Sequence, residues 1–189
     1  MKTIFKFLPF LLLTAFIASC SDDDSPAPVN EEEVITTLRI TFTPQGGGTQ
    51  VVFQSQDLDG DGPNAPVVSI VGDLQTGTTY NGAVEVLNEL ETPAEDITEE
   101  VMEEDDEHQF FYTITGGAGP AITYNDSDGD GNPVGLSIIL TTGANSTINV
   151  LTVTLRHEPD KDASGVSDGD ITNAGGETDV EATFNFTVN

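Results

Sequence analysis

The sequence predicts an all-β fold: a β-sandwich made of two similar four-strand repeats, with one short acidic helix between them. Three observations carry this. Apolar residues alternate with polar ones over many short segments; Gly, Asn, Asp and Pro punctuate those segments; and the chain repeats itself, with an aspartate-rich loop at the same place in each copy.

The first strand is the clearest. Leu38, Ile40 and Phe42 alternate with Arg39 and Thr41, the pattern of a strand with one buried face, and Gly46–Gly48 closes it. Further strands are expected at Val51–Gln54, Val67–Val71, Tyr80–Leu87, Gln109–Thr115, Leu136–Leu140, Ile148–Leu155 and Ala182–Val188. In the fifth of these eight, Phe110, Tyr112 and Ile114 share a side; in the last, Phe184, Phe186 and Val188 do. One segment breaks the pattern. Thr92 fits an N-cap, Pro93 the first helical position and Glu95 the acid that reaches back, while Ile97 and Val101 lie one turn apart. These predict a helix over Pro93–Glu104. Its acidic end, Glu103 to Glu107, opposes the helix dipole and should fray.

The repeat sets the domain plan. Leu38–Phe42, a glycine turn, Val51–Phe53 and the loop Asp57–Asn64 are matched by Phe110–Ile114, a glycine turn, Ile122–Tyr124 and the loop Asp126–Pro133. A Thr-Gly turn then follows in each copy, at Thr76-Gly77 and Thr142-Gly143. The folded domain is expected over 34–189: repeat one about 38–91, the helix about 93–104, repeat two about 110–160, and a terminal strand about 180–188.

Ahead of it stand two other segments. Lys2 and Lys6 precede an apolar stretch, Phe7–Ala18, that is short for a membrane span of about 20 residues. It ends in Ile17-Ala18-Ser19-Cys20, which resembles the lipobox of bacterial lipoproteins. That resemblance implies a signal peptide over 1–19 and lipidation of Cys20, anchoring the protein to a membrane through its lipid. Ser21-Asp22-Asp23-Asp24-Ser25 resembles the surface-export signal of Bacteroidota lipoproteins and implies the outer membrane, facing the cell surface. With Pro26, Pro28 and Glu31–Glu33, residues 20–33 read as lipidated cysteine and tether.

Charge excludes one class of partner. The chain carries 5 Lys+Arg against 33 Asp+Glu, net −28. Lys2 and Lys6 lie before Cys20, so the remainder holds three side-chain cations (Arg39, Arg156, Lys161) against the same 33 acids, hence −30. Nucleic acid is repelled by such a surface, whereas divalent cations and basic partners are attracted.

The aspartate loops are the first candidate site. Asp57, Asp59 and Asp61, and likewise Asp126, Asp128 and Asp130, occupy positions 1, 3 and 5 before a glycine, as in calcium loops. The bidentate Glu of position 12 is missing, with Val68 and Ser137 in its place, so these are not EF-hands. Calcium held weakly, as in extracellular modules, is one reading; an Asp-Gly turn with no ion is the other. The second candidate is a transition-metal site of His108 and His157 with Glu104 and Asp106 from the acidic run. His157 ends one strand and His108 begins another, so they can meet at one rim of the sandwich.

No nucleophile elbow, His-Glu-x-x-His or phosphate loop is present, and Trp is absent, so no enzyme is expected. The expected function is a non-enzymatic, surface-anchored binding or accessory module, stiffened by calcium and serving uptake beside an outer-membrane receptor. The alternatives are transition-metal capture through His108 and His157, and a structural or adhesion protein.

The stretches Glu103–Tyr112, Leu155–Pro159 and Asp168–Gly176, with the aspartate loops, resemble a group of uncharacterised Bacteroidota lipoproteins of Flavobacteria type. Members often carry the label "type 1 periplasmic binding fold superfamily protein". The label implies a two-lobed α/β receptor. This chain is too short for that and lacks the alternation of strands with long helices.

Overall fold

The computed structural model describes residues 33–60, 62–117, 119–144 and 148–189. The expected signal peptide, Cys20, most of the tether and Asp61 lie outside the described residues.

Ten strands form among the described residues: β1 Thr37–Pro44, β2 Val51–Gln56, β3 Val67–Val71, β4 Thr79–Asn88, β5 Glu95–Asp96, β6 His108–Thr115, β7 Ala121–Tyr124, β8 Ser137–Thr141, β9 Asn149–His157 and β10 Glu177–Phe186. They make two sheets. The larger runs β3-β2-β1-β4-β8-β7, with the two-residue β5 pairing onto β4; the smaller runs β10-β9-β6. Every named pair is antiparallel. The fold is all-β, as the alternation predicts.

The core lies between the inner faces of the sheets. Leu38, Ile40 and Phe42 of β1, Phe53 of β2 and Val86 of β4 meet Phe110 of β6, Leu151, Val153 and Leu155 of β9, and Phe184 and Phe186 of β10. Phe53 spans the gap, its ring centroid 5.4 Å from Phe184 and 5.5 Å from Phe186. Burying this apolar area is the main driving force for the fold, at about 25 cal/mol per Å² removed from water. Phe111 faces the other way from Phe110. It is covered by Val166 and Ala174 from a loop with two 3₁₀ turns, Val166–Asp168 and Ile171–Asn173.

Two expectations need correction. The helix, α1, spans only Ile97–Glu103, and Asp96, not Thr92, caps it by accepting from the Thr98 N–H. Glu95 and Asp96 instead extend the sheet by pairing with Asn88 and Leu87. Thr98 then ties the helix to β4, its hydroxyl bonding both the N–H and the carbonyl of Val86. Tertiary pairing therefore outcompetes the local capping signal. The helix stops at Glu103, with no basic residue in its last turn, and a turn closed by the Glu107 N–H on the Glu104 carbonyl follows.

The repeat holds in element order but not in pairing. In the first half β1 pairs both β2 and β4. In the second half β6 pairs β9, whereas β7 and β8 join the larger sheet through β4. The second copy is thus divided between the sheets. Among the described residues no helix is long and apolar enough to cross a membrane.

Candidate metal centre

The pairing of β6 with β9 puts His108 directly opposite His157. Two residues further in, the same register pairs Phe110 with Leu155, so by the two-residue period of a strand the histidines continue the core-facing side to the sheet's end. Their rings stack with centroids 4.5 Å apart. Their strand-end positions allow a meeting at one rim of the sandwich, and the β6–β9 register brings it about.

Two carboxylates complete the group. Asp179 arrives through a β-bulge: Thr178 pairs Arg156 and Val180 pairs Leu155, leaving Asp179 as the extra residue between them. By simple alternation Asp179 would point away from Val180, Ala182 and Phe184; the bulge turns it inward. Gly176 permits the close approach at this corner. It sits at φ +67, and a Cβ there would meet the His157 carbonyl oxygen at 2.2 Å. Glu33 comes from the segment entering β1. The side chains are nearly sealed from solvent: His108 0%, Asp179 1%, His157 6% and Glu33 7% exposed.

The four groups alternate around one point. His108 Nε2 lies 3.5 Å from Glu33 Oε1 and 3.8 Å from Asp179 Oδ2. His157 Nδ1 lies 3.7 Å from Glu33 Oε2 and 3.9 Å from Asp179 Oδ1. These separations exceed hydrogen-bond length, which ends near 3.2 Å for N–H···O. They approach the edge of a tetrahedron around zinc, roughly 3.4 Å for bonds of about 2.0–2.1 Å. Glu33 Oε2 and His108 Nε2 are buried with no hydrogen-bond partner, an expensive state for polar atoms unless something else binds them.

An outer hydrogen bond sets the tautomer of His108 that such a site requires. His108 Nδ1 lies 3.2 Å from the Glu104 carbonyl oxygen, to which an Nδ1–H donates, leaving Nε2 with its lone pair facing inward. The Nε2 of His157 faces Glu107 Oε2 at 3.8 Å, on the side away from Glu33. Negative charge gathers around the group: burial, then the like charges of Glu33, Glu95 and Glu104, push the Glu100 carboxyl above its ordinary value.

Of the four residues expected at this site, the structure brings His108 and His157 together. The side chain of Glu104 joins Glu107 and the outer edge of His157 in a separate group of potential ligands, within 4.8 Å of one another. Asp106 is exposed and belongs to neither group. Glu33 and Asp179 were missed. Glu33 ends an acidic run that reads as tether, and nothing local distinguishes it. Asp179 keeps the regular alternation with Val180, Ala182 and Phe184, so the sequence carries no signal for the bulge.

The aspartate loops are built differently. In the second, Asp126 accepts the Gly135 N–H (2.8 Å) and the Ser137 N–H (2.7 Å), one on each oxygen. Asp128 accepts from the Asp130 and Asn132 N–H groups on Oδ1 and from Lys161 Nζ, at 3.0 Å, on Oδ2. The buried Lys161 ammonium also donates to the Pro133 and Asp105 carbonyls, so an internal cation serves this loop. In the first loop Asp57 accepts the Asp59 N–H, and Asp59 accepts from Asn64, as in self-closed turns. Among the described residues, the groups of three or more potential ligands include no aspartate of either loop.

No family model, no curated protein and no solved structure matches this chain.

Proposed function

We propose that this chain is a lipid-anchored, non-enzymatic protein of the outer membrane whose folded domain holds one first-row divalent transition cation, zinc by preference, through Glu33, His108, His157 and Asp179. The observation that carries the reading is the alternation of two imidazole nitrogens with two carboxylates at 3.5 to 3.9 Å, buried, with Glu33 Oε2 and His108 Nε2 lacking hydrogen-bond partners. Two carboxylates and two neutral imidazoles balance a divalent charge, and mixed N/O donors suit zinc over calcium, which takes six to eight oxygens. Four protein ligands leave no open coordination position, which favours holding a metal over catalysis with it. Lys161, already on Asp128, argues against calcium in the second loop. The anchoring half rests on the first twenty-five residues: the basic start, the apolar stretch, the Ala18-Ser19-Cys20 sequence and the acidic run after it.

Because the ligands come from four separated places in the chain, binding energy becomes folding energy. Free zinc at 100 times its Kd should stabilise the domain by about 2.7 kcal/mol. Titration calorimetry on the full-length protein in detergent tests this. Zinc binding with a stoichiometry of one, lost in His157→Ala and Asp179→Asn, is the expected result. Zinc binding that survives both substitutions refutes the assignment.

A further inference from the structure

The imidazole of His157 stands between two sets of ligands. On one side Nδ1 faces the buried Glu33 and Asp179. On the other, Nε2 faces Glu107, whose side chain is 52% exposed, and Glu104, which is also exposed. Glu104, Glu107 and His157 offer one ligand atom each within 4.8 Å of one another. At 3.8 Å from Glu107, Nε2 lies beyond hydrogen-bond distance, although the His157 side chain is only 6% exposed. A nearly buried nitrogen thus points into an otherwise solvent-facing pair of carboxylates.

We propose that Glu104, Glu107 and His157 Nε2 form a loading position, where a divalent first-row cation is first held and from which it passes to the buried ligands. The inference rests on the buried site proposed above. A hydrated ion cannot reach ligands that are 0 to 7% exposed without shedding water. Three ligands at the surface replace part of its hydration shell, and the acidic surroundings concentrate it there. The chemistry of imidazole then makes the two positions exclusive. A neutral ring has one N–H and one lone pair. With the ion outside on Nε2, the proton sits on Nδ1; with the ion inside on Nδ1, the proton sits on Nε2. Transfer would therefore release the Nδ1 proton to solvent and take one proton from solvent onto Nε2, on the side that faces Glu107. No net proton is gained or lost at the ring, and one ion is held tightly at a time.

A kinetic device differs from a merely structural one because it changes both rates and leaves the equilibrium alone. Stopped-flow measurement of zinc uptake and release on the full-length protein in detergent, reported by a competing chromophoric chelator, reads both. In Glu104→Gln, association and dissociation should slow together by about tenfold, the lower end of electrostatic effects on on-rates. The Kd should stay within about threefold, which also shows that the buried site is still formed. Unchanged association overturns the proposal, as does a weaker Kd arising from faster dissociation alone, or a second tightly held ion. It is also overturned if slowing appears instead in Asp57→Asn or Glu181→Gln. Those residues line a cleft of about 410 Å³ that Glu33 and Asp179 also line and Glu104 and Glu107 do not. Absence of equilibrium zinc binding in the unaltered protein would remove the buried site and this position with it. A kinetic failure with intact equilibrium binding would remove only the loading position.

Discussion

Replacing Lys161 by Met tests the internal cation of the second aspartate loop. The substitution keeps most of the side-chain volume but deletes the ammonium, which donates to Asp128 Oδ2 at 3.0 Å, to Pro133 O at 3.2 Å and to Asp105 O. Both charged partners are buried, Lys161 at 6% and Asp128 at 1% side-chain exposure. Removing one partner of such a pair leaves an uncompensated buried charge and costs about 3–5 kcal/mol. Asp128 keeps its two backbone donors, which places the expectation near the lower bound, about 3 kcal/mol, or roughly 6–12 °C in Tm for a chain of this size. The pH dependence is equally specific. Burial pushes the Asp128 carboxyl up, but the hydrogen bond and charge of Lys161, with the N–H groups of Asn132 and Asp130, outweigh it and hold the carboxyl below its ordinary value. A carboxyl so lowered adds stability above its unfolded pKa, near 3.9, and loses it as pH falls through the lower folded value. In Lys161→Met the lowering from lysine is gone while the burial remains. The deficit is then full at pH 7 and shrinks in acid, where Asp128 protonates. Urea unfolding followed by circular dichroism at pH 7 and pH 4 measures both, and Asp128→Asn added to Lys161→Met should recover part of the loss at pH 7. A deficit under about 1 kcal/mol at pH 7, or one equal at both pH values, refutes the reasoning.

Three further outcomes follow from the same geometry. Gly176→Ala should destabilise the domain by about 1–3 kcal/mol, because a Cβ meets the His157 carbonyl at 2.2 Å and φ is +67, and should weaken zinc binding by displacing His157; thermal melting with and without zinc measures both. Glu33→Gln should raise the zinc Kd at least tenfold in calorimetry while leaving the metal-free melting temperature within a few degrees, because its carboxylate is a proposed ligand at the entry to β1 and adds no core packing. Zinc affinity should be weaker in acid than at neutral pH, because protons compete with the ion for imidazole nitrogen; competition titrations at pH 5 and pH 8 read the difference, and an affinity independent of pH speaks against histidine ligation.

Much of the fold was legible in the sequence because strands with one buried face write their period directly. Leu38–Phe42 lies inside β1, where alternation and the glycine turn put it, and β4 and β9 differ from expectation by one or two residues at their ends. The helix was misread because Thr92-Pro93 carries a strong local start signal, while β5 and the Thr98 contacts to Val86 belong to tertiary structure. Pairing partners were hidden for the same reason: the repeat records similar segments, not which sheet receives them. At the site, histidines at strand ends were visible, but their meeting depends on β6 pairing β9 in register, which the sequence does not record. Asp179 was hidden because its placement depends on one residue of bulge, and Glu33 because a ligand carboxylate in an acidic run looks like any solvated acid. Lys161 offered a clue, as one of three side-chain cations after Cys20.

The central claim is that two histidines and two carboxylates enclose one four-coordinate cation. Replacing zinc by cobalt(II) on the full-length protein and recording the visible spectrum tests it most directly, since cobalt bound by four ligands absorbs far more strongly than hydrated six-coordinate cobalt. The account predicts intense visible bands that saturate at one cobalt per chain, are bleached by one equivalent of zinc and are lost in His108→Ala. Weak bands typical of the hydrated ion, or intense ones that persist without His108, would contradict it.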